Sequence, residues 1–138
     1  MSRNILYAYI DGYDLDDVAT VLESDITSFL QMLAWPCGDA WLVSDREYAS
    51  GPEADLPRWD LGMNFELPLT REELVPHFTK IEDLAVFFHA ESGKTGREFV
   101  LGVCDTVTGD TWEFALVGPE PVNIERIRRA LLPERIAN

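Results

Sequence analysis

The chain has 138 residues, 46% of them hydrophobic and 11% aromatic, a composition that excludes a disordered chain and predicts one domain with a real core. Its 25 acidic side chains outnumber 11 basic ones, giving a net charge of −14. That balance argues against nucleic acid or an anionic membrane as partner, since both are held by Lys and Arg; it would attract a basic protein, and it also serves simply to keep a chain in solution.

The charge is unevenly spread. Residues 1–69 carry 13 acids against three bases (Arg3, Arg46, Arg58), and residues 70–138 carry 12 acids against eight bases. No apolar run approaches the ~20 residues that span a bilayer. The opening Met1-Ser2-Arg3-Asn4 shows no signal-peptide pattern, so a cytoplasmic location is expected. Cys37 and Cys104 lack metal-site spacing and are expected to stay reduced.

In chain order, residues 4–11 predict a strand with Leu6, Ala8 and Ile10 on one face and Ile5, Tyr7 and Tyr9 on the other. Both faces are apolar, which places it centrally in a sheet. Leu15, Val18, Leu22, Ile26, Phe29 and Leu33 recur at helical steps, so a helix is expected through Ala34, stopped by Pro36 and Gly38. Asp14 fits its N-cap, with Asp16 and Asp17 in the first turn. Residues 40–45 predict a short strand and residues 46–57 an exposed loop. From Arg58 to Leu67, apolar Trp59, Leu61, Met63, Phe65 and Leu67 alternate with Asp60, Gly62, Asn64 and Glu66, the pattern of a half-buried strand.

Thr70-Arg71-Glu72-Glu73 is a capping box, and the helix it starts should be interrupted by Pro76 near Val75. Thr79 to Glu82 offers a second box for a restart, with Gly96 as terminator. Leu84–His89 fits either a helix or a strand, and the longer stripe favours the helix. Residues 97–118 predict a hairpin turning at residues 106–109. A three-residue loop would put Trp112, Phe114 and Leu116 beside Val100, Gly102 and Cys104; a four-residue loop pairs Asp105 with Asp110 and gathers Phe99, Leu101, Val103, Trp112, Phe114 and Leu116 on one face, and this cleaner apolar face favours it. After Pro119 and Pro121, Asn123 can cap a last helix with Ile124, Ile127 and Leu131 inward. The order βαββαββα predicts a single α+β domain: a mainly antiparallel five-stranded sheet, helices on one face, split-βαβ-like with an added strand and a C-terminal helix.

The motifs are poor in chemistry. Ser92-Gly93-Lys94-Thr95 resembles the end of a phosphate loop, but Phe88 stands where the first glycine is required. Asp11, Asp14, Asp16 and Asp17 lack the alternation and closing Glu of a calcium loop. His77 and His89 are twelve apart, without zinc spacing, and neither cysteine has an evident base. Tyr7 and Tyr9 could stack RNA bases, but no basic residues surround them. No catalytic constellation, metal site or cofactor is therefore expected.

The expected function is protein–protein binding. In its sharpest form the chain is an immunity- or inhibitor-type protein that neutralises a basic toxin or nuclease. The expected docking residues are Asp14, Asp16 and Asp17 before the first helix, and Asp45, Glu47, Glu53 and Asp55 along the loop. Trp41 or Tyr48 would supply the apolar anchor, as aromatics rimmed by charge do at interfaces. Trp59 shares the core face of its strand. The alternatives are a small enzyme or ligand-binding module with a pocket on the sheet face, and an accessory subunit of a larger complex. The sequence leaves a homo-oligomer open.

Overall fold

Strand β1 (Asn4–Ile10) lies in the middle of the sheet, as its two apolar faces require. The computed structural model describes residues 4–11, 15–47 and 58–132, except for the side chains of 45–47 and 58–60. β1 pairs on one side with β3 (Arg58–Glu66) and on the other with β4 (Phe99–Asp105). β2 (Ala40–Glu47) and β5 (Thr111–Val117) complete an antiparallel sheet of order β2-β3-β1-β4-β5. The first four strands follow the split βαβ arrangement and β5 extends it beside β4, so the α+β fold is the one expected.

One face of the sheet is covered by helices. Leu6, Ala8 and Ile10 of β1, Leu61, Met63 and Phe65 of β3, and Phe99, Leu101 and Val103 of β4 are buried there. Against them pack Leu22, Ile26 and Leu33 of α1 (Ala19–Leu33) and Ile81, Leu84 and Phe88 of α3 (Phe78–Thr95). Ile127 of α4 (Ile124–Leu131) joins the same core. The strand alternative for Leu84–His89 is thus settled as helix.

Local chemistry sets the helix ends. The Thr70 hydroxyl oxygen accepts from the Glu73 backbone N–H at 3.2 Å and starts α2 (Arg71–Leu74). The Glu73 carboxylate accepts a hydrogen bond from that hydroxyl, at 3.1 Å, rather than from the Thr70 amide as in a full capping box. Pro76 narrows the next turn, Val75–His77, to a 3-10 helix, because proline supplies no N–H and crowds the preceding turn. α3 follows directly, so the second box at Thr79 is not used. It ends at Gly96, whose φ of 71° suits a residue without Cβ. Asn123 caps α4 by accepting from the Arg126 N–H at 3.0 Å.

Three expectations need correction. α1 starts at Ala19 and its N-cap position, Val18, makes no side-chain cap. Asp16 and Asp17 therefore lie in the turn ahead of the helix, not in its first turn, while Asp14 falls outside the described residues. β2 runs on to Glu47, so Arg46 and Glu47 are strand rather than loop. The third correction concerns the hairpin. Its loop closes as expected, with Asp105 N donating to Asp110 O at 2.8 Å, and Val103 pairs Trp112. A bulge then intervenes: Gly102 pairs Glu113 but Leu101 pairs Ala115, leaving Phe114 as the extra residue. Past the bulge the parity of β5 is reversed. Ala115 and Val117 pack toward the core and Leu116 is 56% exposed. Trp112 keeps its expected pairing yet is 48% exposed.

Candidate functional site

The face opposite the helices is built from the alternate residues of the same strands. Two rows can be read across it from the register. The first runs Trp41, Asn64, Tyr7, Gly102, Glu113, and the second Val43, Gly62, Tyr9, Val100, Leu116. Both rows are apolar or aromatic at the centre. Two residues farther along, β2 and β3 pair Asp45 with Asp60, and Asp11 N donates to Glu98 O at 2.8 Å. Four strands therefore bring an acidic residue to the same end of the sheet.

Glycines shape the middle. A Cβ on Gly102 would lie 2.4 Å from Tyr7 Cζ and 2.6 Å from the Trp112 carbonyl oxygen, so the Tyr7 ring rests directly on that backbone. A Cβ on Gly62 would fall 1.9 Å from the Ala8 carbonyl oxygen, so the β1–β3 approach admits no side chain there. Tyr7 and Tyr9 rings lie 5.1 Å apart, and the Tyr9 hydroxyl donates to Asn64 Oδ1 at 2.7 Å. The two tyrosines are thus fixed and half-buried. Burial raises the Tyr7 phenol above its usual range, and the Glu113 and Cys104 side chains add to the shift. Trp41, on the outer strand β2, is 39% exposed.

Within the sheet, arginine occurs in the paired strands β2 and β3, as Arg46 and Arg58. β1, β4 and β5 contain no Lys or Arg at all. Lys94 of α3 pairs with Asp25 of α1 at 2.6 Å, Arg128 with Glu82 at 3.6 Å and Arg129 with Glu125 at 3.5 Å, all in the helical layer. Lys80 Nζ donates to the Leu33 carbonyl at the end of α1, at 2.9 Å. Arg97, just past α3, reaches Asp17 at 3.2 Å.

The residues singled out from sequence fall into three groups. Trp41, Asp45 and Glu47 lie on one edge strand, β2. Asp16 and Asp17 are exposed in the turn before α1, with Asp17 on Arg97. Asp14, Tyr48, Glu53 and Asp55 lie outside the described residues, and the side chain of Trp59 is not described. Sequence reading missed Asp11, Asp60, Glu98 and Glu113. Each looks like an ordinary turn or strand acid; the pairing of β1 with β3 and β4 brings Asp11, Asp60 and Glu98 to one end, while Glu113 lies opposite Gly102 in the first row.

Other chemistry is sparse among the described residues. None of their His, Cys, Asp and Glu side chains forms a group of three able to hold a metal ion. The phosphate-loop look-alike lies in the last turns of α3, where Thr95 donates to the Glu91 carbonyl at 2.8 Å. His89 Nδ1 sits 3.0 Å from the Gly118 carbonyl oxygen and is used structurally. Cys37, Glu73 and His77 line a small cleft, but burial, with help from Glu73, pushes the Cys37 thiol up, away from the thiolate a nucleophile needs. No described helix is long and apolar enough to cross a membrane. No protein-family model matches the chain, and no curated protein or solved structure matches it.

Proposed function

We propose that the protein acts by binding a basic protein through the helix-free face of its sheet. In the sharpest form of this reading it is an immunity- or inhibitor-type partner that neutralises a cationic toxin or nuclease in the cytoplasm. One observation carries the reading: the three strands β1, β4 and β5 hold no Lys or Arg, while three described ion pairs lie within the helices and the fourth, Arg97–Asp17, just outside them. A face with fixed aromatics at its centre and acids around it has the makeup of an interface for a positively charged surface. Carboxylates there would occupy the groups with which a nuclease holds phosphate. Trp41 is the anchor in this reading, since it is the most exposed aromatic of the two central rows.

The experiment has two stages. The immobilised protein is used to capture a basic partner from lysate of its own source, with elution at moderate salt. The partner's activity is then measured with and without the protein, and for the Trp41→Ala variant. The expected result is inhibition by the wild type and dissociation at least tenfold faster for the variant. A partner that binds equally well at low and high salt, or whose binding is untouched by Trp41→Ala, would contradict the reading.

A further inference from the structure

At one corner of this face lies a cleft of about 670 Å³. It is lined by Val100 of β4, by residues 113–117 of β5, and by the link of residues 118–123 with Arg126 and Ile127 of α4. Four carboxylate residues line it, Asp11, Glu98, Glu113 and Glu120, against a single cation, Arg126. The Arg126 Nε donates to the Phe114 carbonyl oxygen at 2.9 Å, which ties the arginine to the strand at the bulge. Glu98 is turned onto the link: a Cβ on Gly118 would stand 3.1 Å from Glu98 Oε2, so the glycine leaves room for that carboxylate. Between the charges the walls are apolar, with Val100, Leu116 and Val122.

We infer that this cleft seats an arginine side chain of the basic partner, a reading that rests on the docking face proposed above. The match is one of shape and charge. An arginine stem needs an apolar wall, and its planar fork needs carboxylates that can take two hydrogen bonds at once. The cleft offers both, and its size admits the arginine with part of the chain on either side. It is also continuous with the docking face, since Val100, Glu113 and Leu116 belong to both. An arginine inserted here would stand at the edge of the face whose centre is Tyr7 and Tyr9, so a single basic surface can reach both.

The test uses the whole protein, ¹⁵N-labelled, and blocked tripeptides Gly-Arg-Gly, Gly-Lys-Gly and Gly-citrulline-Gly at low salt. Citrulline keeps the shape of arginine and removes its charge. The arginine peptide should shift the amides of Glu98, Val100, Leu116, Gly118 and Glu120 saturably. The lysine peptide should bind several-fold more weakly and the citrulline peptide at least tenfold more weakly. The double variant Glu98→Gln/Glu120→Gln should lose about tenfold in affinity, while Glu72→Gln/Asp83→Asn, away from the cleft, should not. Equal binding of arginine and citrulline peptides, or of arginine and lysine peptides, overturns the assignment. So does the absence of any shift at the cleft with millimolar arginine peptide. If shifts instead centre on Tyr7, Tyr9 and Trp41, the cleft is wrong but the docking face stands; the partner's salt response and the Trp41→Ala variant judge that face independently.

Discussion

The two faces of the sheet are made by the same strands, yet they are different materials. On the helical face, Phe65, Phe88 and Phe99 are essentially inaccessible and belong to one continuous core. On the other, Tyr7 and Tyr9 are half-buried, held by glycine contacts and a side-chain hydrogen bond, and acids stand at the margins. The helical face is optimised for burial; it also has the Lys and Arg side chains of the helices pairing nearby acids. Toward the open face, Arg126 stands among the four carboxylates of the cleft. A surface on which acids outnumber cations attracts a cationic partner.

The largest expected effect breaks the helical face. Phe99→Ala should lose roughly 3–5 kcal/mol in urea unfolding, because it opens a cavity between β4 and α3. Trp112→Ala, at 48% exposure, should lose well under half of that. Equal losses would mean that Trp112 is buried after all.

Gly102→Ala probes the open face. Its methyl group must displace the Tyr7 ring or the β5 backbone, so a loss of about 1–3 kcal/mol is expected. The Tyr7→Ala/Gly102→Ala double variant should be less destabilised than the sum of its parts, since the smaller side chain vacates the space the methyl needs. Additive losses in a double-mutant cycle would show that Tyr7 does not rest on Gly102.

A smaller effect comes from the helical layer. Glu91 of α3 is 4% exposed, and burial with the adjacent Asp25 carboxylate pushes it up to about 7. Asp25 moves the opposite way, held low by its hydrogen bond from Lys94. The folded protein therefore keeps a proton on Glu91 that the unfolded chain releases near 4.5. By linkage, stability should fall as pH rises from about 4.5 to about 7, and the loss is complete above that window. Glu91→Gln should remove the slope and raise stability at pH 8 by an amount on the order of 1–2 kcal/mol. A variant less stable than wild type at pH 8 would mean the charged form is stabilised in the fold.

Much of the architecture was legible in the chain. The alternation in residues 4–10 and 58–66, the Thr70 cap, the break at Pro76 and the stop at Gly96 each follow from a local rule, and each stands in the structure. The bulge at Phe114 was not legible, because no glycine or proline marks it and the apolar residues on either side fit the unbroken register equally well. The start of α1 was misplaced for a related reason: Leu15 and Val18 are buried as helical spacing requires, but the chain delivers them from a turn. Of the candidate site, Trp41 and Asp45 could be found by composition near the acidic loop. Asp11 and Glu98 could not, since their alignment with Asp60 depends on β1 pairing with β3 and β4, strands far apart in sequence.

The central claim is that the helix-free face carries the partner. The most direct test is carboxylate labelling by carbodiimide and glycine ethyl ester, read by mass spectrometry, for the protein free and bound to its captured basic partner. The account predicts that binding protects Asp11, Glu98 and Glu113 while Glu72, Glu82 and Asp83 label as in the free protein. Protection confined to Glu72, Glu82 and Asp83, with Asp11, Glu98 and Glu113 still labelled, would contradict it.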